Sequence, residues 1–166
     1  MFALILAMQA ASAAPAPALE LQPLAFMVGS CWRASFPGGQ ASDTHCYTSI
    51  YGGRYIRDVH VVAGGPPGYG GETIYRWDPQ TRSIRYDYYA SDGGHSSGSA
   101  VATAAGVDFP DDAYVGPDGA AMTLRTVQTG DASGYTRVSA MRLPDGNWRE
   151  MFTLRFTRSG PATAPR

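Results

Sequence analysis

The side chains able to do chemistry in this sequence are few. Three histidines, His45, His60 and His95, are its whole imidazole complement. No pair of them has the helical spacing of metal ligands. His45 and His60 fall in two strand-like runs joined by Tyr51-Gly52-Gly53-Arg54, and Asp58 precedes His60 by two residues, so the aspartate and that histidine share a strand face. A set of two histidines and an aspartate can bind a metal or act as a base with its orienting carboxylate. On a half-solvated antiparallel sheet the same residues belong to the polar outer face, which is where they are expected here. Glu150 is the other candidate acid or base. It alternates with Trp148, Phe152, Leu154 and Phe156 in one run, which places a carboxylate on an apolar face, where it must find a partner, hold a proton or meet a ligand. Arg57 or Arg85 is its expected neutralising partner. The catalytic candidates are thus Glu150, His60 and Asp58.

Other chemistries are excluded by composition. There is no G-x-S-x-G, and Gly94-His95-Ser96-Ser97-Gly98 leads into a strand. The glycine-rich runs do not open helices, so they are turns and not phosphate cradles. Asp108, Asp111, Asp112 and Asp118 lack the alternating ligands and terminal glutamate of a calcium loop. All 13 basic residues are arginine, which removes Schiff-base and P-loop lysine chemistry together. A formal net charge of -1 carries no footprint for nucleic acid. No metal and no cofactor is expected.

The elements that position these residues are strands. At 166 residues the chain is the size of one domain. Residues 1–18 read as a secretion signal and linker. The apolar run Phe2 to Met8 precedes Ala11-Ser12-Ala13, a small-residue site that would start the mature protein near Ala14. No Lys or Arg stands before that run, which departs from the usual signal, and the run is too short to span a bilayer. A periplasmic or secreted location follows. Residues 19–160 form the barrel domain and 161–166 a disordered tail. After a possible helical turn in Leu19 to Val28, roughly ten strands are separated by Gly-Gly, Gly-Pro-Pro-Gly, Asp-Pro-Gln-Thr and Pro-Asp-Gly-Asn. Without a helical layer to cover it, so long an antiparallel run must close or split. An up-and-down barrel is the expected fold, with a sandwich second.

Turn counting sets the registers. If Pro37-Gly38-Gly39-Gln40 is the first loop, Phe36 pairs with Ala41 and Cys31 lies opposite Cys46, within disulfide reach. A loop closed by Asp78 and Ser83 sets Trp77 against Ile84, Tyr75 against Tyr86 and Thr73 against Tyr88. The same counting around Pro144 to Asn147 sets Leu143 beside Trp148, Met141 beside Glu150 and Ser139 beside Phe152. Tyr75, Trp77, Tyr86, Tyr88, Trp148, Glu150 and Phe152 then line one interior, with tyrosine hydroxyls as polar handles in an aromatic cavity.

The segment from Leu21 to Arg33, LQPLAFMVGSCWR, resembles the opening of calycin-like barrels, in which a short helix closes one end and a G-x-W motif begins the first strand. Together with Gly52-Gly53-Arg54 and Tyr75-Arg76-Trp77-Asp78-Pro79, it is similar to exported barrels of the DUF1579-like type. It also resembles nitrobindin-type haem barrels, whose haem is held by a late histidine; here no histidine follows His95. In lipocalins an arginine of the last strand covers the tryptophan, which implies Arg155 or Arg158 over Trp32. The leading expectation is an exported barrel that binds a small, mainly apolar molecule without catalysis. An isomerase, cyclase or hydrolase using the same cavity is the alternative, and a filled, ligand-free envelope protein the third. Oligomeric state is not legible.

Overall fold

A computed structural model describes residues 15–162. Ten strands close into one antiparallel barrel: β1 (Ser30–Ser35), β2 (Ser42–Ile50), β3 (Tyr55–Ala63), β4 (Gly70–Asp78), β5 (Ser83–Ala90), β6 (His95–Thr103), β7 (Gly106–Val115), β8 (Ala121–Asp131), β9 (Gly134–Arg142) and β10 (Trp148–Pro161). Each strand pairs with the next and β10 pairs back onto β1. Short turns enforce this order, and closure leaves no unpaired sheet edge. The expected secretion signal and its cleavage site lie outside the described residues.

The first two hairpins from turn counting are present. Phe36 N donates to Ala41 O at 2.9 Å, and Cys31 lies opposite Cys46, to which it is disulfide-bonded. Trp77 faces Ile84, Tyr75 faces Tyr86 and Thr73 faces Tyr88.

The last hairpin differs from expectation. Leu143 N donates to Asn147 O, and Gly146 takes φ 86°, so the loop is Pro144-Asp145-Gly146 with glycine in the left-handed position. Trp148 consequently faces Arg142, and Glu150 faces Ala140. A bulge between Glu150 and Phe152 then restores Phe152 to Ser139. Phe152, Leu154 and Phe156 point inward, whereas Trp148 and Glu150 lie on the outer face.

One end of the barrel is plugged. A 3-10 helix, Leu19–Met27, buries Leu21, Leu24 and Met27. Trp32 is fully buried beneath it and donates from Nε1 to Met27 O at 3.0 Å. Gly29 and Trp32 are separated by Ser30 and Cys31, so the opening reads G-x-x-W rather than G-x-W. Of the two arginines expected over Trp32, Arg158 takes the place. Its guanidinium lies 5.0 Å from the ring and donates to Ser30 Oγ and Ala132 O, while Arg155 is exposed. Tyr135 and Phe156 stack at 4.7 Å, and Ile56, Ile84, Val107 and Leu154 complete an apolar plug. Full burial of each large side chain contributes about 1.5–3 kcal/mol. No helix among the described residues is long and apolar enough to cross a membrane.

Candidate functional site

The other half of the interior is polar. On β2, alternation turns Asp43, His45 and Tyr47 inward, and on β3 it turns Asp58 and His60 inward, all five buried. This corrects the expected outer-face placement of the histidines. In a barrel filled at only one end, a polar run of period two can face an interior cavity as readily as solvent. Cross-strand pairing sets His45 beside His60 and Tyr47 beside Asp58.

The resulting network is dense. His45 Nδ1 lies 2.7 Å from Asp58 Oδ2, and its Nε2 lies 2.9 Å from Asp43 Oδ2. Asp43 Oδ1 meets His60 Nδ1 at 3.0 Å, and His60 Nε2 meets the Tyr88 hydroxyl at 3.0 Å. Burial alone would raise the Asp43 carboxyl, but hydrogen bonds from both histidines hold it well below the usual carboxylate range. Burial likewise favours neutral His45. The charge of Asp58, aided by hydrogen bonds to both carboxylates, outweighs burial and Arg137 and raises its pKa above the ordinary 6.5.

Arg137, from β9, forms the floor of the site. Its Nη1 lies 2.9 Å from His45 Nε2, and its Nη2 donates to the Tyr47 hydroxyl at 3.4 Å. With its amide turned so that Oε1 faces the guanidinium, Gln128 accepts from Nη2 and Nε at 2.8 and 3.0 Å. Among the described residues no carboxylate lies within ion-pair distance of Arg137.

The opposite wall holds Asp112. In β7, Phe109 pairs with Thr126 and Asp112 with Leu124, so the Pro110-Asp111 step contains one extra residue. That bulge turns Asp112 inward, where strict alternation from Phe109 would turn it out. Burial raises its pKa, which the neighbouring Ser96 and Tyr86 hydroxyls offset only in part. Among the described residues neither Asp112 Oδ1 nor Ser96 Oγ has a hydrogen-bond partner. The tyrosines on this side reach in because glycines make room: a Cβ on Gly71 would strike the Tyr88 ring, and one on Gly98 would strike that of Tyr86.

Between these walls lies a cavity of about 410 Å3, bordered near its mouth by Phe36, Tyr69, Tyr114, Met122 and Phe152. A deeper compartment of about 120 Å3 lies between Arg137, Asp112, Gln128 and Tyr86. Of the residues expected to line the interior, Tyr75, Tyr86, Tyr88 and Phe152 border the cavity, and Trp77 packs against the apolar core. Trp148 instead stacks outside against Arg125 at 4.6 Å, and Glu150 is exposed and accepts from Thr153 Oγ1 at 2.7 Å. The arginine expected to neutralise Glu150 is not needed, and Arg57 pairs with Glu72 at 2.6 Å. Asp43, Arg137 and Asp112 were not singled out by sequence reasoning as site residues. The signal for Asp43 was its position two residues before His45, and for Asp112 it was a proline inside a strand.

Donor atoms of Asp43, His45 and His60 lie within 4.8 Å of one another, the kind of set that can hold a divalent metal. The geometry favours a self-satisfied network instead. Both His45 nitrogens already meet carboxylates, and the imidazoles stack 12° from parallel, so their lone pairs run side by side. The Arg137 cation also stands against the nitrogen that would have to ligate.

No protein-family model and no curated protein sequence matches the chain. Among solved structures it is similar to Rv2717c from M. tuberculosis, with a TM-score of 0.58 and 10% identity over 86% of this chain and 99% of that one. Identity this low carries the fold alone: a closed ten-strand antiparallel barrel of calycin-like architecture.

Proposed function

We propose that the chain is an exported barrel of the DUF1579-like type that binds a small molecule in its interior, the polar part against the His45 network and the apolar part toward the mouth. The observation that carries this reading is the cavity of about 410 Å3, a size in the range of ligand pockets, with polar groups converging at its floor. A filled barrel would need none of them, since burying charged groups costs stability that apolar packing would not. Export is supported by the apolar N-terminal run and by the Cys31–Cys46 bond, which persists in oxidising compartments. Native mass spectrometry of protein purified from its own compartment tests the reading. A retained small molecule that is lost on refolding supports it. A mass equal to the bare chain, together with no uptake of the apolar dye Nile red, would sink it.

A second reading, an enzyme of the isomerase, cyclase or hydrolase type, draws support from the cavity's two displaced carboxyls: Asp43 held low and Asp112 held high is the separation that splits base from acid. Returning the extracted molecule to fresh protein distinguishes the readings. Unchanged recovery means binding, and conversion means catalysis.

A further inference from the structure

Two charged side chains face the cavity without an ion-pair partner. Arg137 has no carboxylate within ion-pair distance among the described residues, and Asp112 has no arginine or histidine. A charge withdrawn from water ordinarily has a counter-charge, because the unpaired state loses hydration that nothing replaces. Here both exceptions border the same inner compartment of about 120 Å3, small enough for one small molecule to touch both.

Their remaining hydrogen-bond capacity is complementary. Gln128 and Tyr47 occupy Nε and Nη2 of Arg137. Nη1 keeps an N–H without an acceptor among the described residues, because its one neighbour there, His45 Nε2, is itself a donor to the Asp43 carboxylate. On the other side, among the described residues, Asp112 Oδ1 accepts nothing and Ser96 Oγ beside it is also unpartnered. One wall therefore offers a donor and the other an acceptor.

We propose, building on the reading of the cavity as a ligand site, that the ligand is a small amino-acid-like molecule: an oxygen acceptor meets Arg137, a nitrogen donor meets Asp112, and an apolar side group lies toward Phe36, Met122 and Phe152. An ammonium group beside Asp112 restores the counter-charge whose absence now disfavours that carboxylate. A purely apolar ligand leaves both charges without a counter-charge.

The test uses refolded full-length protein loaded with Nile red, a neutral dye that reports occupancy of the cavity. It is titrated with L-phenylalanine, with 3-phenylpropionate, which lacks the amine, and with phenethylamine, which lacks the carboxylate. Phenylalanine is expected to displace dye at concentrations about tenfold or more below either analogue, because each analogue leaves one buried charge unpaired. Arg137→Gln should abolish its advantage over phenethylamine and Asp112→Asn its advantage over phenylpropionate. Arg137→Lys, which keeps the charge, controls for folding and should retain part of the preference. Equal displacement by all three compounds, or bound dye that none displaces, overturns the amino-acid-like ligand and leaves the cavity reading intact. Failure of the dye to bind overturns both.

Discussion

Asp43 and Asp112 look at each other across the barrel: β2 and β7 are five strands apart in either direction round the ring, and both carboxyls border one cavity. Burial disfavours the charge on each. Asp43 has two histidine donors and stays ionised below the usual range, whereas Asp112 has only hydroxyl neighbours and rises above it. The same residue type in one cavity thus holds two electrostatic roles, decided by what β2 and β3 bring to one wall and β6 and β7 fail to bring to the other.

That asymmetry makes stability depend on pH in a defined way. Asp43, with its folded pKa lowered, contributes stability that is present above its unfolded value near 3.8 and is lost as pH falls through the folded value. His45, with its pKa raised, contributes stability that is fully present below 6.5 and is lost as pH rises through its folded value. Asp112 acts opposite to Asp43, costing stability as pH climbs from 3.8 to its raised folded value. Urea midpoints measured from acid to alkaline pH should therefore decline on the alkaline side in the wild type. In His45→Gln the part of that decline lying above 6.5 should disappear. An unchanged alkaline limb would mean that His45 is not held in its charged form.

The plugged end should be separable from the cavity. Arg158 covers Trp32 and donates to Ser30 Oγ at 2.7 Å, far from the mouth. Arg158→Ala removes a cation–π contact and two hydrogen bonds, a loss of about 1–3 kcal/mol. Nile red affinity at a temperature where the variant stays folded should match the wild type. Loss of dye binding in step with stability would mean that plug and cavity form one cooperative unit.

The disulfide closes a sequence separation of 15 between the first two strands. In the chain-entropy model a loop of about that length contributes about 3 kcal/mol, acting on the unfolded chain. Reduction should lower the free energy of unfolding by that amount and leave the far-ultraviolet spectrum unchanged, since nine of the strands' ten neighbour pairings do not involve β1 with β2. Collapse of the β spectrum on reduction would show that the barrel depends on this link.

Much of the fold was legible because turns announce themselves. Pro37-Gly38-Gly39-Gln40 and Pro79-Gln80-Thr81-Arg82 have one loop length that fits, and counting outward gave Cys31 to Cys46 and Tyr75 to Tyr86. Pro144 to Asn147 was ambiguous. A four-residue and a three-residue loop both suit that sequence, and Gly146 in the left-handed region selects the shorter. The site was less legible because period-two alternation says which residues share a face but not which face is inside. A barrel packed throughout would turn His45 and His60 outward, and one packed only at the Trp32 end turns them in. Asp112 depended on a bulge that Pro110 hinted at and pairing alone could settle.

The last hairpin carries the sharpest test of this register. Glu150 lies on the outer face, bonded to Thr153 Oγ1, so Glu150→Gln should change stability by no more than about 0.5 kcal/mol and leave Nile red binding alone. Deleting Met151 discriminates further. Glu150 pairs with Ala140 and Phe152 with Ser139, neighbouring positions on β9, so Met151 is the extra residue of the bulge. Its removal should join two correctly paired halves into a regular strand, with the barrel retained. Were Glu150 on the inner face, the same deletion would turn Trp148 and Glu150 to the opposite side of the sheet and disrupt the core. A variant that fails to fold, or a Glu150→Gln variant weakened by several kcal/mol, would place that carboxylate inside and the bulge elsewhere.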